Sequence, residues 1–155
     1  MDNTMNSTME HVSFLARYLG KRDIQVVISI ILMDMGFLPK GAGYQYLKTA
    51  IQLFYEDPNQ PIIYGLYFDV ARKYSRYGSW MQVERAMRRV IKIAWEKRDA
   101  ATWRLYFPAG TPDGKNGYTT STFVSGIAEI LRVWEGCCEQ EKPLSKEGEE
   151  NETAE

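Results

Sequence analysis

Six cations and two carboxylates share the stretch "SWMQVERAMRRVIKIAWEKR", residues 79–98. Guanidinium and ammonium groups at that density do one kind of chemistry well: they hold the oxygens of a polyanion, Lys as a point charge and Arg as a planar fork of donors. Their spacing sharpens the point. Arg85/Arg89 and Arg88/Lys92 stand four residues apart, and Arg85/Arg88 and Arg89/Lys92 three apart. On a helix these are like-charged neighbours, each costing roughly 0.2–0.5 kcal/mol, so the four pairs together cost about 1–2 kcal/mol in isolation. A charged helix face is most often a solvated surface on which opposite signs alternate. This one does not alternate, and phosphate groups would relieve the repulsion. Glu84, four residues before Arg88, has by spacing alone a simpler role as that arginine's ion-pair partner.

The element that must carry these groups is a long helix. Ser79 followed by Gln82 fits a capping box, which starts the helix near Trp80. At 3.6 residues per turn, Val83, Ala86, Met87, Val90, Ile91, Ile93 and Ala94 share one face, while Glu84, Arg85, Arg88, Arg89, Lys92 and Glu96 share the other. The preceding "YFDVARKYSRYG" supplies a short helix and a turn, the arrangement of a helix-turn-helix whose second helix enters the DNA major groove. Lys73 and Arg76 would there face phosphates, and Tyr77, in the turn, could offer its hydroxyl to another.

Around that unit the chain reads all-α, a compact domain of about six to eight helices, because apolar positions recur at three- and four-residue spacing and no run of five or more alternates as a strand would. Asp23 caps a helix that Gly36 and Pro39 end; a second runs over 41–55; "EDPNQP" breaks the chain; a short helix over 99–107 precedes Pro108. "PAGTPDGKNG" reads as an exposed loop. "YTTSTFVSGIAEILRVW" is then a last amphipathic helix capped by Thr119 or Thr120. Gly41 and Gly43 are read as residues of a helix start, since "PKGAGYQY" follows no strand and lacks phosphate-loop spacing.

Composition bounds the rest. A chain of 155 residues with 45% hydrophobic and 25% charged residues suits one domain. We expect an N-terminal extension over 1–20, where Val12, Phe14, Leu15 and Tyr18 allow a further helix, a DNA-binding domain over 21–137, and a disordered acidic tail over 138–155. The net charge of −1 conceals an asymmetry: residues 139–155 hold seven Glu against Lys142 and Lys146, so they carry −5 and everything before them +4. Residues 72–98 alone hold nine cations against Glu84 and Glu96, a local footprint for nucleic acid. The longest apolar run, 24–33, is far short of the roughly 20 residues that a membrane span needs. No secretory signal is legible, and a cytoplasmic protein is expected. Cys137 and Cys138 are adjacent and are read as reduced thiols; with His11 the only histidine, no zinc site, other metal or cofactor is expected. No spacing selects a catalytic carboxylate pair, so neither an enzyme nor a small-molecule substrate is expected. Most of the ten tyrosines and four tryptophans lie among aliphatics and are read as core rather than as base-stacking platforms.

Several segments resemble one family in order. "VERAMRRVIKIAW" is similar to the recognition helix of the C-terminal DNA-binding domain of stage zero sporulation protein A, the master sporulation response regulator of endospore-forming bacteria. "GAGYQYLKTAIQLFYED", "LYFDVARKY" and "TTSTFVSGIAEILR" resemble other helices of that domain, so the likeness spans about 24–132. The resemblance implies an all-α effector domain whose helix-turn-helix binds a promoter box with a TCG-like core. It implies that Glu84 and Arg85 read bases, chemistry that suits a carboxylate accepting from cytosine N4 and a guanidinium bonding guanine O6 and N7. Gln82 stands where the family has arginine, and its amide suits adenine better. Arg88, Arg89 and Lys92 would mainly hold phosphates, and Lys115 with Asn116 would add a backbone contact. "SRYGSWMQ" is about two residues longer than the family's turn. The family's receiver domain has no counterpart before Ile24, so control by phosphorylation is not carried over.

The reading is therefore a bacterial transcriptional regulator binding double-stranded DNA, with a homodimer on tandem sites as a further expectation. Its rival is a protein-interaction module that has lost promoter binding, with the same face meeting an acidic or regulatory partner or shielded by the acidic tail. Deleting 139–155 separates the two: a tail that shields the face predicts tighter DNA binding on its removal, whereas a pure interaction module stays inactive on DNA.

Overall fold

The computed structural model describes residues 23–74, 79–108 and 117–140, and within them every regular element is helical: α1 (Ile24–Asp34), α2 (Ala42–Glu56), a π-helical turn (Ile62–Tyr67) that runs directly into α3 (Phe68–Tyr74), α4 (Trp80–Glu96), α5 (Ala100–Tyr106) and α6 (Thr120–Gln140). The expected N-terminal extension, the turn with Arg76 and Tyr77, the loop with Lys115 and Asn116, and residues 141–155 of the expected tail lie outside the described residues; residues 138–140, expected in that tail, instead continue the backbone of α6. No helix among the described residues is long and apolar enough to cross a membrane.

The helices begin and end where local chemistry dictates. Asp23 accepts the amide hydrogen of Gln25 at 3.0 Å and starts α1. Gly36, at φ +92°, ends it: Phe37 donates to the Leu32 carbonyl at 2.9 Å and Gly36 to the Met33 carbonyl at 3.1 Å. Those bonds satisfy carbonyls that a helix end leaves open, in a left-handed conformation that glycine takes without steric cost. After α2, Gln60 donates to the Leu53 carbonyl at 2.7 Å and holds the break closed. Asp99 caps α5 by accepting from the Thr102 amide at 3.2 Å, and Thr119, rather than Thr120, caps α6 by accepting from the Thr122 amide at 3.3 Å.

The α2 helix is the centre of the molecule, with α1, α4 and α6 all packed on it. Its Leu47, Ala50 and Ile51 meet Ile28, Ile31 and Leu32 of α1, Met87 and Ile91 of α4, and Phe123, Ile127 and Leu131 of α6 in one buried core. Burial of such side chains contributes on the order of 1.5–3 kcal/mol each, the main force holding the helices together. The α2–α4 crossing is tight enough to touch backbone: a Cβ on Gly43 would stand 2.6 Å from the Ala86 carbonyl oxygen. Gly41 is the N-cap of α2 and Gly43 its second residue, as their place at the helix start suggested, and Gly43 also serves the crossing.

A second, aromatic cluster locks α5 and the start of α6 onto the end of α4. Trp103 stacks within 6.2 Å of Tyr118 and edges onto Trp95 at 5.4 Å, while its indole donates to the Met35 carbonyl at 3.0 Å. Tyr106 donates to Asp34 at 2.6 Å. These rings are packing groups, as their place among aliphatics suggested.

Candidate nucleic-acid interface

Among the described residues, Arg85, Arg88, Arg89 and Lys92 are presented by α4 and Lys73 by α3. The buried stripe of α4 is Val83, Met87, Ile91 and Ala94, which sinks one side of the helix into the core and fixes which side faces water. Ile93, expected on that stripe, is 40% exposed; it lies about 120° around the helix from Met87 and so falls on the rim. Ser79 does cap the helix, accepting from the Met81 amide at 3.0 Å. The reciprocal half of a capping box is not formed, and Gln82 is left exposed on the outer surface.

Arg85, Arg88, Arg89 and Lys92 are all exposed. Among the described residues only Arg88 of these four forms an ion pair, with Glu84 at 3.8 Å. Arg85, Arg89 and Lys92 are therefore neither sunk in the fold nor neutralised by a described carboxylate, and the repulsion between them stands. Lys73 is exposed near the end of α3, which packs on α4 and is pinned by a 2.6 Å hydrogen bond between Tyr74 and Thr49. Arg76, Tyr77 and Lys115 lie outside the described residues.

Glu84 differs from its cationic neighbours. Only 22% of its side chain is exposed, because it sits about 60° from Met87, at the border of the buried stripe. Its Oε1 accepts from the Thr120 hydroxyl at 3.3 Å, and Oε2 faces Arg88. Burial first, and then the Glu84 carboxylate beside it, push the Tyr67 hydroxyl up to about 12. Tyr67 in turn stacks near Trp80 at the start of α4, with centroids 6.4 Å apart. Thr120 was not expected here; its sequence signal was that of a helix cap, and its partner is 36 residues away.

Between the polar face of α4 and the chain at 117–120 runs a groove of about 960 Å³. Gly117, at φ +78°, lets the backbone lie against Trp95, where a Cβ would come within 2.8 Å of the indole. Arg98, which the cation count included but no role was given, lays its guanidinium 3.6 Å over the centre of the Trp95 ring. The groove is walled on one side by Arg85, Arg88, Arg89 and Lys92 with Glu84 and Glu96 among them, and on the other by a helix start. Among the described residues no cluster of three or more His, Cys, Asp or Glu side chains could hold a metal ion.

Residues 28–131 match the family described as Sporulation initiation factor Spo0A C terminal. The chain belongs to that family. The Spo0A C-terminal family is the effector domain of a sporulation regulator and a helical DNA-binding domain, so both the all-helical fold and the resemblance read from "VERAMRRVIKIAW" agree with the match. In Spo0A C-terminal terms, the matched span takes in α2, α3, α4 and α5 entire and reaches Leu131 in α6.

Proposed function

We propose that the protein binds duplex DNA in a sequence-specific manner, with α3 and α4 as a helix-turn-helix and α4 lying in the major groove. The observation that carries this reading is the state of the α4 surface: three cations without a described counter-charge, on a helix whose opposite side is anchored in the core. A 17-residue helix is about 26 Å long and about 10–12 Å across, which suits a groove about 12 Å wide. Arg85 would bond guanine O6 and N7, Glu84 accept from a cytosine amino group, and Gln82 meet an adjacent base. Arg88, Arg89, Lys92 and Lys73, with Arg76, Tyr77 and Lys115, would hold phosphates and set the register. The family supports a role in transcription control during sporulation, and binding as a homodimer on tandem boxes belongs to the same proposal.

Selection of bound sequences from a random duplex pool, at stated salt, tests it. A short motif with a guanine and a cytosine at neighbouring positions is the expected result. Recovery of unenriched sequence would reject base reading, and failure to bind any duplex would reject the assignment to DNA.

A further inference from the structure

Resting on the base-reading role of α4, we infer that Thr120, the first residue of α6, sets base selectivity by fixing the Glu84 carboxylate. Thr120 is 3% exposed, and its hydroxyl donates to Glu84 Oε1 at 3.3 Å. It is not the cap of its own helix, a task done by Thr119, so this hydroxyl is free to serve another element. The two oxygens of Glu84 then have different holders. Oε1 meets a buried, neutral donor rooted in the core, whereas Oε2 meets Arg88, whose side chain is 62% exposed and stands at 3.8 Å.

That asymmetry has a chemical consequence. A neutral donor orients a carboxylate without cancelling its charge, whereas a guanidinium does cancel it. When a phosphate takes Arg88 away, Oε2 is released as an acceptor while Oε1 stays where Thr120 holds it. The acceptor so presented suits an exocyclic amino group, the donor that cytosine shows in the major groove. With no hydroxyl at position 120, the carboxylate gains rotational freedom and keeps its pairing with Arg88, and discrimination falls while phosphate contacts persist. Thr120 is thus a positioning residue that never touches the base.

Thr120→Val keeps the shape and removes the hydroxyl, and Thr120→Ser restores it. Each duplex position of the selected site is varied in turn, and affinity is measured for the wild type, for both variants, for Glu84→Ala and for Glu84→Ala with Thr120→Val, together with affinity for a scrambled duplex. Thr120→Val is expected to lower preference about tenfold, the scale of one hydrogen bond to a charged group, at the same base pair that Glu84→Ala affects. Scrambled-duplex binding should hold, Thr120→Ser should keep the preference, and Thr120→Val should add nothing in the Glu84→Ala background. Unchanged preference in Thr120→Val, an equal loss on every duplex, or an undiminished loss in the Glu84→Ala background would each overturn the inference. If Thr120→Val melts below the assay temperature, Thr120→Ala against Thr120→Ser decides by the same criteria. If Glu84→Ala leaves every base preference intact, Glu84 does not read DNA and the inference ends there, whereas a failure confined to the Thr120 variants leaves the DNA-reading role of α4 standing.

Discussion

At the scale of single residues, the polar face of α4 is not uniform. Arg85 lies far from the buried stripe and is exposed, so its reach into a groove needs no rearrangement of the fold. Arg85→Ala should cost about 1–3 kcal/mol on the best site and relax selectivity at one base pair; titration of the site and its single-position variants checks this, and an equal loss on all sequences would contradict the role. Glu84 lies at the seam: the ion pair with Arg88 read from spacing forms on Oε2, while Thr120 holds Oε1, and the proposed base reading requires Arg88 to leave Oε2. Tyr67, behind it, gives a pH signature. Its hydroxyl, raised to about 12 from 10.0, keeps its proton in the folded state after the unfolded chain has lost its own. The stabilisation is therefore complete below pH 10.0 and declines as pH climbs toward 12. Urea midpoints measured from pH 9 upward should fall, and Tyr67→Phe should remove its share of that fall, leaving the share of Tyr106, raised in the same direction by burial and its Asp34 bond.

At the scale of elements, the aim of α4 is set by what it crosses. Gly43 permits α2 to approach until only a hydrogen atom fits between its Cα and the Ala86 carbonyl. Gly43→Ala must push the two helices apart and should destabilise by about 1–3 kcal/mol, as overpacking does. Gly136→Ala in α6 is the control, since nothing lies within 4 Å of a Cβ there, and a helical Ala in place of Gly should be stabilising by up to about 1 kcal/mol. Chemical denaturation followed by circular dichroism reads both. A Gly43→Ala variant as stable as the parent would mean that the crossing has slack and that α4 is aimed by other contacts.

At the scale of the whole molecule, the basic surface and the acidic C-terminal segment belong to one chain, and the net charge of −1 describes neither. Binding should respond to the local surface. If about five phosphates are neutralised, log affinity should fall against log salt with a slope near −4 to −5. Titrations at several salt concentrations measure the slope, and a flat response would reject the electrostatic account. Replacing Arg89 or Lys92 by Ala should reduce the slope by about one each while leaving base preference alone.

Helix positions, caps and the cationic face of α4 were legible in the sequence because they depend on neighbours three or four residues away, within reach of periodicity and propensity. Asp23, Gly36, Ser79 and Asp99 do locally what their types suggest. The same pattern misread two details of α4, the burial of Ile93 and the capping box, because a rim position and a side-chain rotamer are settled by what packs alongside. Only the tertiary structure decided that Gly43 touches Ala86, that Thr120 holds Glu84 across 36 residues, and that a groove opens between α4 and the start of α6. Such contacts join segments far apart in the chain, and no local spacing records them; they exist because the core brings three helices onto α2 and leaves one face of α4 in water.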